Sequence, residues 1–181
     1  MKTKNFFKTL CLGFVFTFLG CTEENYYTTA EGLGKVNVYI EGSITNAEAQ
    51  AQLAKEVGSL TENIYVQNTT ELTAITINGN NKLRNVIIEE NALLSTINAY
   101  ATSNLASFIV KDSNTQLSII NLHGTGKVTE IEIKNSKQNS TILIDGFTIA
   151  DKISIETTST ISNNKTATIT CNDLLEVNKF L

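Results

Sequence analysis

Six segments of the chain repeat one arrangement of apolar residues. They begin at Leu72, Leu83, Leu94, Leu105, Leu117 and Val128, and successive starts lie 11, 11, 11, 12 and 11 residues apart. Each segment begins with an apolar residue and has further apolar residues three and five positions later. The last two positions follow the period of a β-strand, whose side chains point alternately to two faces. The pattern therefore predicts a series of short strands.

A spacing of eleven residues is also compatible with a helical repeat. The segments are rich in Ile, Val and Thr, however, and these residues favour strands over helices. The register continues beyond the six segments: Asn139 follows Leu117 by 22 residues, with Ile142 and Ile144 at the two inward offsets, and Leu60 precedes the block. The strand interpretation is therefore favoured over about a hundred residues.

One short strand and one turn cannot close a coil, so we expect two units to form one coil of about 22 residues. Strands of successive coils would stack at roughly 4.8 Å in two parallel sheets. Each coil would cover the apolar face of its neighbour and bury a continuous column of Ile, Val and Leu. The predicted fold class is mainly β, a right-handed parallel β-solenoid, with repeats over residues 60–161.

The pattern L-x-x-I-x-I-x-x-N ends at Asn80 and, with Val in place of the first Ile, at Asn91. It resembles the leucine-rich repeat, most closely the short repeats of bacterial surface proteins and receptor L-domain-like repeats. The resemblance implies that these asparagines bond backbone groups at turns. Later units have other residues at this position, namely Thr102, Ser113, Thr125 and Ser136, so we expect an incomplete asparagine ladder.

The repeats are flanked by segments that we expect to cover their ends. Residues 35–59 form the predicted N-terminal cap, which begins with the alternating strand Lys35–Ile40. Thr45 and Glu48 have the spacing of a capping box, a helix over Ala47–Val57 follows, and Gly58 ends it. Residues 162–181 are predicted to form a last strand and a C-terminal cap.

The first twenty residues have the layout of a signal peptide. Positive charge comes from Lys2, Lys4 and Lys8, and an apolar stretch runs from Leu10 to Leu19. Gly20-Cys21 after this stretch resembles the lipobox of bacterial lipoproteins, although Phe18 is bulkier than the usual residue. The resemblance implies lipidation of Cys21 and cleavage before it. The alternative is an ordinary secretory signal with a chance cysteine.

Residues 21–34 are predicted to be a tether, because they show little apolar periodicity. Glu23 and Glu24 resemble the export signals that send some lipoproteins to the outer face of the outer membrane, although two glutamates also suit a solvated linker. We therefore expect a protein that is lipid-anchored in the outer membrane and exposed at the cell surface.

Charge and cysteine content exclude several classes of function. The net charge is -4 and Arg84 is the only arginine, so we expect no nucleic-acid binding. Cys11 lies in the signal and Cys21 is assigned to the lipid, which leaves Cys171 alone. A lone cysteine cannot form an intramolecular disulfide, and we expect no metal site and no cofactor.

The predicted register places Asn78, Tyr100, His123 and Asp145 in one outward row. This mixture of aromatic and hydrogen-bonding groups suits a polar or glycan ligand and is the candidate binding face. His123 and Asp145 lie one coil apart, close enough to pair. A catalytic or metal role for the pair is an alternative, but no serine or cysteine nucleophile is placed beside His123 and there is no second histidine. A solvated polar row without a ligand is the other alternative.

The second sheet carries different outward rows. Glu89 with Lys111, and Lys134 with Glu156, are predicted to form charge pairs between coils. Ile87 and Ile109 are predicted to form a small exposed apolar step.

Three functions are compatible with these patterns. A binding or adhesion module that contacts a surface protein or glycan is favoured, because no catalytic grouping is recognisable. A polysaccharide-acting β-helix enzyme would need clustered carboxylates in a groove, and the only outward carboxylate pair is Glu130 and Glu132. A purely structural envelope protein is the third. We therefore predict that the protein is not an enzyme.

Overall fold

The computed structural model describes residues 32–101, 105–111, 113–135, 141–157, 168–171 and 176–177. The first elements of this part are β1 (Asn37–Gly42), α1 (Asn46–Glu56), β2 (Asn63–Thr69), β3 (Ala74–Asn78), β4 (Asn85–Glu89) and β5 (Thr96–Ala101). They are followed by β6 (Leu105–Val110), β7 (Ile119–Asn135), β8 (Thr141–Thr157), β9 (Thr168–Cys171) and β10 (Glu176–Val177). The predictions for residues 1–31, and for most of the C-terminal cap, lie outside the described residues.

The strands form a parallel β-solenoid of about 5 turns with roughly 22 residues per turn, as the sequence predicts. One stack, the first column, contains β1, β2, β4, β6 and the second halves of β7 and β8. The other, the second column, contains β3, β5, the first halves of β7 and β8, and β9. The parallel pairing begins at β1, upstream of residue 60, where the repeats were expected to start.

The two columns are not separate sheets, which corrects the prediction. β7 and β8 are each 17 residues long and run from the second column around a corner into the first, so one hydrogen-bonded sheet of ten strands results. Glycine permits the corner: Gly146 has φ +75°, and a Cβ there would collide with the carbonyl of Gly124. Gly124 itself lies against the Phe147 ring. The apolar periodicity does not reveal a strand that continues through a turn.

The predicted inward positions form the core. Ile75, Val86, Ile97, Phe108, Ile120 and Ile131 are all buried, none more than 2% exposed. Their register partners lie directly above and below them, as Ile97 and Ile120 do. Each fully buried side chain of this size contributes roughly 1.5–3 kcal/mol relative to an exposed one. Stacked apolar columns therefore stabilise the coils.

The predicted helix and its capping box are present, shifted by one residue. Thr45 is the N-cap: the Glu48 N–H donates to its hydroxyl, and the Glu48 carboxylate accepts from the Thr45 N–H at 2.9 Å. The Thr45 hydroxyl also donates to the Glu48 carboxylate at 2.7 Å, and this bond, followed by the one from the Thr45 N–H, lowers the pKa of Glu48 below its usual value. Gly58 does not end the helix in a left-handed conformation. It is a glycine because the backbone of Leu33 and Gly34 packs against it and leaves no room for a Cβ.

The helix lies where the second column would otherwise have a strand in the first coil, and it contacts β1 and β3. The Asn46 side-chain oxygen accepts from the N–H groups of Thr73 (2.8 Å) and Ala74 (3.1 Å). Gln50 Nε2 donates to the carbonyl of Thr76 at 3.0 Å, and Gln52 Nε2 donates to that of Tyr39 at 2.8 Å. Polar side chains of the helix thus bond backbone groups of two strands.

Asparagines bond the backbone at the turns, as the repeat pattern implies. Asn80 accepts from the N–H of Leu83 at 2.9 Å, and Asn91 donates to the carbonyl of Val66 at 2.9 Å. Asn114 continues the ladder, accepting from Asn91 Nδ2 at 2.9 Å. The expectation that Ser113 replaces the asparagine was wrong, because the twelve-residue unit places Asn114 at the structural position instead.

Adjacent residues of β7 give a matched test of the inward column. Ile120 is fully buried, whereas Ile119 is 40% exposed. We expect Ile120→Ala to lower the free energy of unfolding by about 2–5 kcal/mol, because it leaves a cavity. Ile119→Ala should change it by about 0.5 kcal/mol or less. Urea denaturation followed by circular dichroism measures both, and equal losses in the two variants would contradict the register.

Candidate functional site

The structure brings the four predicted site residues into one outward row on the second column. Asn78 pairs in register with Tyr100, Tyr100 with His123, and His123 with Asp145. Each therefore stands one coil above the last, at the spacing of paired strands, about 4.7–4.9 Å. The Tyr100 residue is 42% exposed. Cys21, the predicted lipidation site, lies outside the described residues.

Tyr100 and His123 stack on each other. Their ring centroids are 5.0 Å apart and their planes differ by 5°. One face of each ring is therefore covered by the other ring.

His123 and Asp145 form the predicted pair. Nδ1 of the imidazole contacts Oδ1 of the carboxylate, and this oxygen is buried without another hydrogen-bond partner among the described residues. With Nδ1 turned to the carboxylate, Nε2 is the nitrogen left for a ligand. In a neutral ring that carries its proton on Nδ1, Nε2 accepts a hydrogen bond.

The described contacts give the pair no partner for nucleophilic chemistry. His123 contacts Tyr100 and Asp145, and neither contact is with a serine or a cysteine. Within the described ranges, no group of three or more His, Cys, Asp or Glu side chains converges on one point. What the row can do, on this geometry, is donate and accept hydrogen bonds.

A cleft of about 180 Å³ lies at the base of the row, between α1 and β3. It is lined by Gln50, Leu53, Ala54, Val57, Thr76 and Asn78. The helix contributes an apolar wall, and β3 contributes a polar floor. The sequence pattern does not reveal this cleft, because it predicts the helix without its position. The capping box marks where a helix begins but not which strand it packs beside.

The first column carries an apolar stripe on its outward side. Ile87 and Ile109, the predicted apolar step, are register neighbours, and Tyr65 and Tyr39 continue the row below them. The two tyrosines stack with ring centroids 4.8 Å apart and planes 10° apart. The sequence does not predict the place of Tyr39 in this row, because its strand belongs to the predicted cap and lies outside the repeat register.

A polar ladder runs beside this stripe. It contains Asn37, Asn63, Asn85 and Ser107, which are joined by side-chain hydrogen bonds of 2.6, 2.6 and 2.8 Å. The amides of Asn63 and Asn85 donate to the coil below, and all three amides accept from the coil above. The ladder therefore holds adjacent strands in register on the solvent side, as the inward apolar residues do inside.

Charged side chains pair between coils on the first column. The predicted pair of Lys111 with Glu89 is present. Lys134 forms an ion pair with Glu132 on its own strand at 3.1 Å, although Glu156 is its register partner. Lys152 and Glu130 are 2.6 Å apart, and the hydrogen bond to Glu130, followed by its charge, raises the pKa of Lys152. Exposed pairs of this kind contribute little to stability, because water and salt screen the charges.

Comparisons of the chain with known protein families, curated proteins and solved structures found no match. In the part of the chain that the structure describes, no helix combines the length and apolarity needed to cross a membrane.

Proposed function

We propose that the protein is a lipid-anchored binding or adhesion module of the outer membrane, exposed at the cell surface, which presents its solenoid to a surface protein or glycan. The observation that carries this proposal is the outward row of the second column. Tyr100, His123 and Asn78 lie in one outward row, and Tyr100 and Asn78 are exposed. Stacked repeats offer extended surfaces of this kind for binding.

The row has the composition of a contact surface. Exposed tyrosine is enriched at protein interfaces because it combines apolar area with a hydroxyl. The pair with Asp145 holds the His123 ring in one orientation, so little side-chain freedom is lost on binding. The face is therefore organised before a ligand arrives.

The anchor is supported by the sequence. Gly20-Cys21 follows an apolar stretch that is shorter than the roughly 20 residues of a membrane span. Residues 22–34 then separate Cys21 from the first strand and provide the length of a tether. Glu23 and Glu24 favour delivery to the surface over retention inside.

The anchor is tested by Cys21→Ser. We expect this variant to incorporate no labelled palmitate and to move from the membrane to the soluble fraction, because the thiol is the acceptor of the lipid. Cys171→Ser is the matched control and should stay labelled and membrane-bound. Labelling retained by Cys21→Ser would show that the lipobox interpretation is wrong.

The binding face is tested by the double variant Tyr100→Ala/His123→Ala. We expect this variant to be retained about tenfold or more less well on a panel of immobilised glycoproteins, because both aromatic rings are removed from the row. The circular-dichroism spectrum should not change. Tyr39→Ala/Tyr65→Ala removes a stacked aromatic pair from the other column and should bind as the unmodified chain does. Undiminished binding by the first variant would exclude this face.

A polysaccharide-acting enzyme is the second candidate, since His123 and Asp145 place an imidazole beside a carboxylate, a combination that general acid–base chemistry can use. Two observations weigh against it. Glu130 is paired with Lys152, and Glu132 is paired with Lys134, so neither carboxylate is poised as a free acid or base. A reducing-sugar release assay on the full chain separates an enzyme from a binder.

A purely structural envelope protein is the third candidate, and it predicts no binding at all.

We also infer that the repeats are of the leucine-rich-repeat type and right-handed, and that β1 and α1 form an N-terminal cap. Backbone bonding by Asn80 and Asn91 at the turns supports the repeat type. Parallel strand connections are right-handed in nearly all sheets. The hydrogen bonds from Gln50 and Gln52 support the cap, since they bond backbone carbonyls that would otherwise lie at strand edges.

The cap is tested by Gln50→Leu/Gln52→Leu. We expect a loss of about 1–3 kcal/mol of unfolding free energy, because the carbonyls of Thr76 and Tyr39 lose their donors. Concentration-dependent self-association should appear in sedimentation velocity as the strand edges open. Lys55→Leu makes the same apolar change on the exposed side of the helix and should stay monomeric. Identical behaviour of the two variants would refute the cap.

A further inference from the structure

The outward side of the first column changes character along the solenoid. On β1, β2, β4 and β6 its middle row is the apolar stripe of Tyr39, Tyr65, Ile87 and Ile109. Tyr39 is 44% exposed, and the other three side chains are partly exposed. On the next strand of the column, β7, the outward positions are occupied by charged residues, namely Glu130, Glu132 and Lys134. The apolar stripe is therefore confined to four neighbouring strands and ends where charge begins.

Polar rows flank the stripe on both sides. One is the uncharged polar ladder, and the other, the mixed row, contains Glu41, Gln67, Glu89 and Lys111. Gln67 Nε2 donates to the Glu41 carboxylate at 3.1 Å, and the N–H of Lys111 bonds the Ile88 carbonyl at 2.9 Å, which keeps Lys111 in register. An apolar centre that contains tyrosine and has a polar rim is the composition of a protein interface.

The stripe can pack against the stripe of a second copy. Sheets that pack face to face keep their strands within about 30° of each other. A two-fold axis along the strands meets this condition, because it keeps each row opposite the same row and reverses the order of the coils. With the axis between β2 and β4, Tyr39 lies opposite Ile109 of the second copy. Tyr65 then lies opposite its Ile87, so every apolar residue meets another.

The charges of the mixed row match in the same arrangement. Glu41 lies opposite Lys111 of the second copy, and the two-fold axis produces this pair twice. Gln67 lies opposite Glu89, to which its amide can donate a hydrogen bond. No two like charges oppose each other. Complementary charges of this kind fix the register of an interface and suppress other arrangements.

The other two-fold axis, along the solenoid, gives a poorer match. It would set each coil opposite the same coil, so Glu132 of the two copies would meet at the centre of the contact, where like charges repel. Glu130 would meet Lys134, but both already have partners within the chain, Lys152 and Glu132. The charges therefore favour the arrangement in which the coils run in opposite order and β7 lies outside the contact.

The size of the patch limits the affinity. Four strands spaced at about 4.8 Å, with five residues each at about 3.3 Å, cover about 19 Å by 17 Å. This footprint is smaller than the roughly 800 Å² per partner of stable complexes. We therefore expect a dissociation constant on the order of 0.1–1 mM, and a monomeric chain at micromolar concentration.

We propose that the outward side of the first column on β1, β2, β4 and β6 is a self-association surface, through which two copies pair face to face with their coils in opposite order. The apolar stripe forms the centre of the contact, and the polar ladder and the mixed row form its rim. The second column takes no part in it. The inference thus goes beyond the proposed binding function and does not depend on it.

The order of the coils is tested with a carbodiimide, which couples a carboxylate directly to an amine without a spacer. Glu41 and Lys111 lie three coils apart within one chain, about 14 Å, so a direct link between them forms only between copies. We expect the full chain at about 1 mM to give a dimer that contains this link, identified by mass spectrometry of its peptides. At about 10 µM only the link between Glu89 and Lys111 of one chain should form.

Charge reversal supplies matched variants. We expect Glu41→Lys or Lys111→Glu alone to weaken association by about fivefold or more in sedimentation equilibrium at low salt, because each places like charges opposite one another. The double variant should restore association, since the opposed charges are again complementary. Lys134→Glu makes the same change outside the contact and should have no effect.

The apolar centre is tested by Ile109→Ser, with Ile119→Ser as the control on the exposed side of the second column. The first should abolish association up to about 1 mM, and the second should not. A monomeric unmodified chain at this concentration overturns the inference. So does association without the Glu41–Lys111 link, or without rescue by the double charge reversal. Binding of glycoproteins through Tyr100 and His123 is measured separately, so either proposal can fail while the other stands.

Discussion

Parallel backbone pairing between residues about 22 positions apart constrains every other feature of this protein. Because a strand alternates its side chains, the pairing sends one set of residues inward on every coil, as Val86 and Phe108 show. A shift by one residue would turn the whole apolar set to solvent, so burial and register enforce one another. The buried asparagines at the turns depend on the same pairing. Asn91 and Asn114 reach backbone carbonyls only because their coils are aligned.

The same stacking determines what the surface can offer. Side chains in one outward row lie about 4.8 Å apart, close enough for neighbouring rings to pack face to face. Tyr39 stacks with Tyr65, and Tyr100 stacks with His123. In a regular row of outward side chains, stacked rings therefore cover one another's faces. A concave site needs an interruption of the repeat, and α1 provides it by replacing a strand in the first coil beside β3.

Polar groups in this protein divide by environment. Asn91 is fully buried, and its side-chain amide is satisfied by backbone and side-chain partners, since an unpaired buried amide would cost about 1–3 kcal/mol. Asn63 and Asn85 make similar contacts at the surface, where water can replace a lost partner. The buried ladder is thus tied to stability, whereas the side chains of the outward rows can contact a ligand.

Apolar alternation over many units is enough to predict the period, the strand type and the inward residues, because it leaves one arrangement that buries Ile75, Ile97 and their equivalents. Spacing alone also predicts the capping box and the pairing of His123 with Asp145. Three features are apparent only in three dimensions: the two columns join at Gly146, Asn114 continues the turn ladder, and the helix forms one wall of a cleft. These features depend on how the chain turns corners and where a helix packs in space, and no local periodicity encodes either.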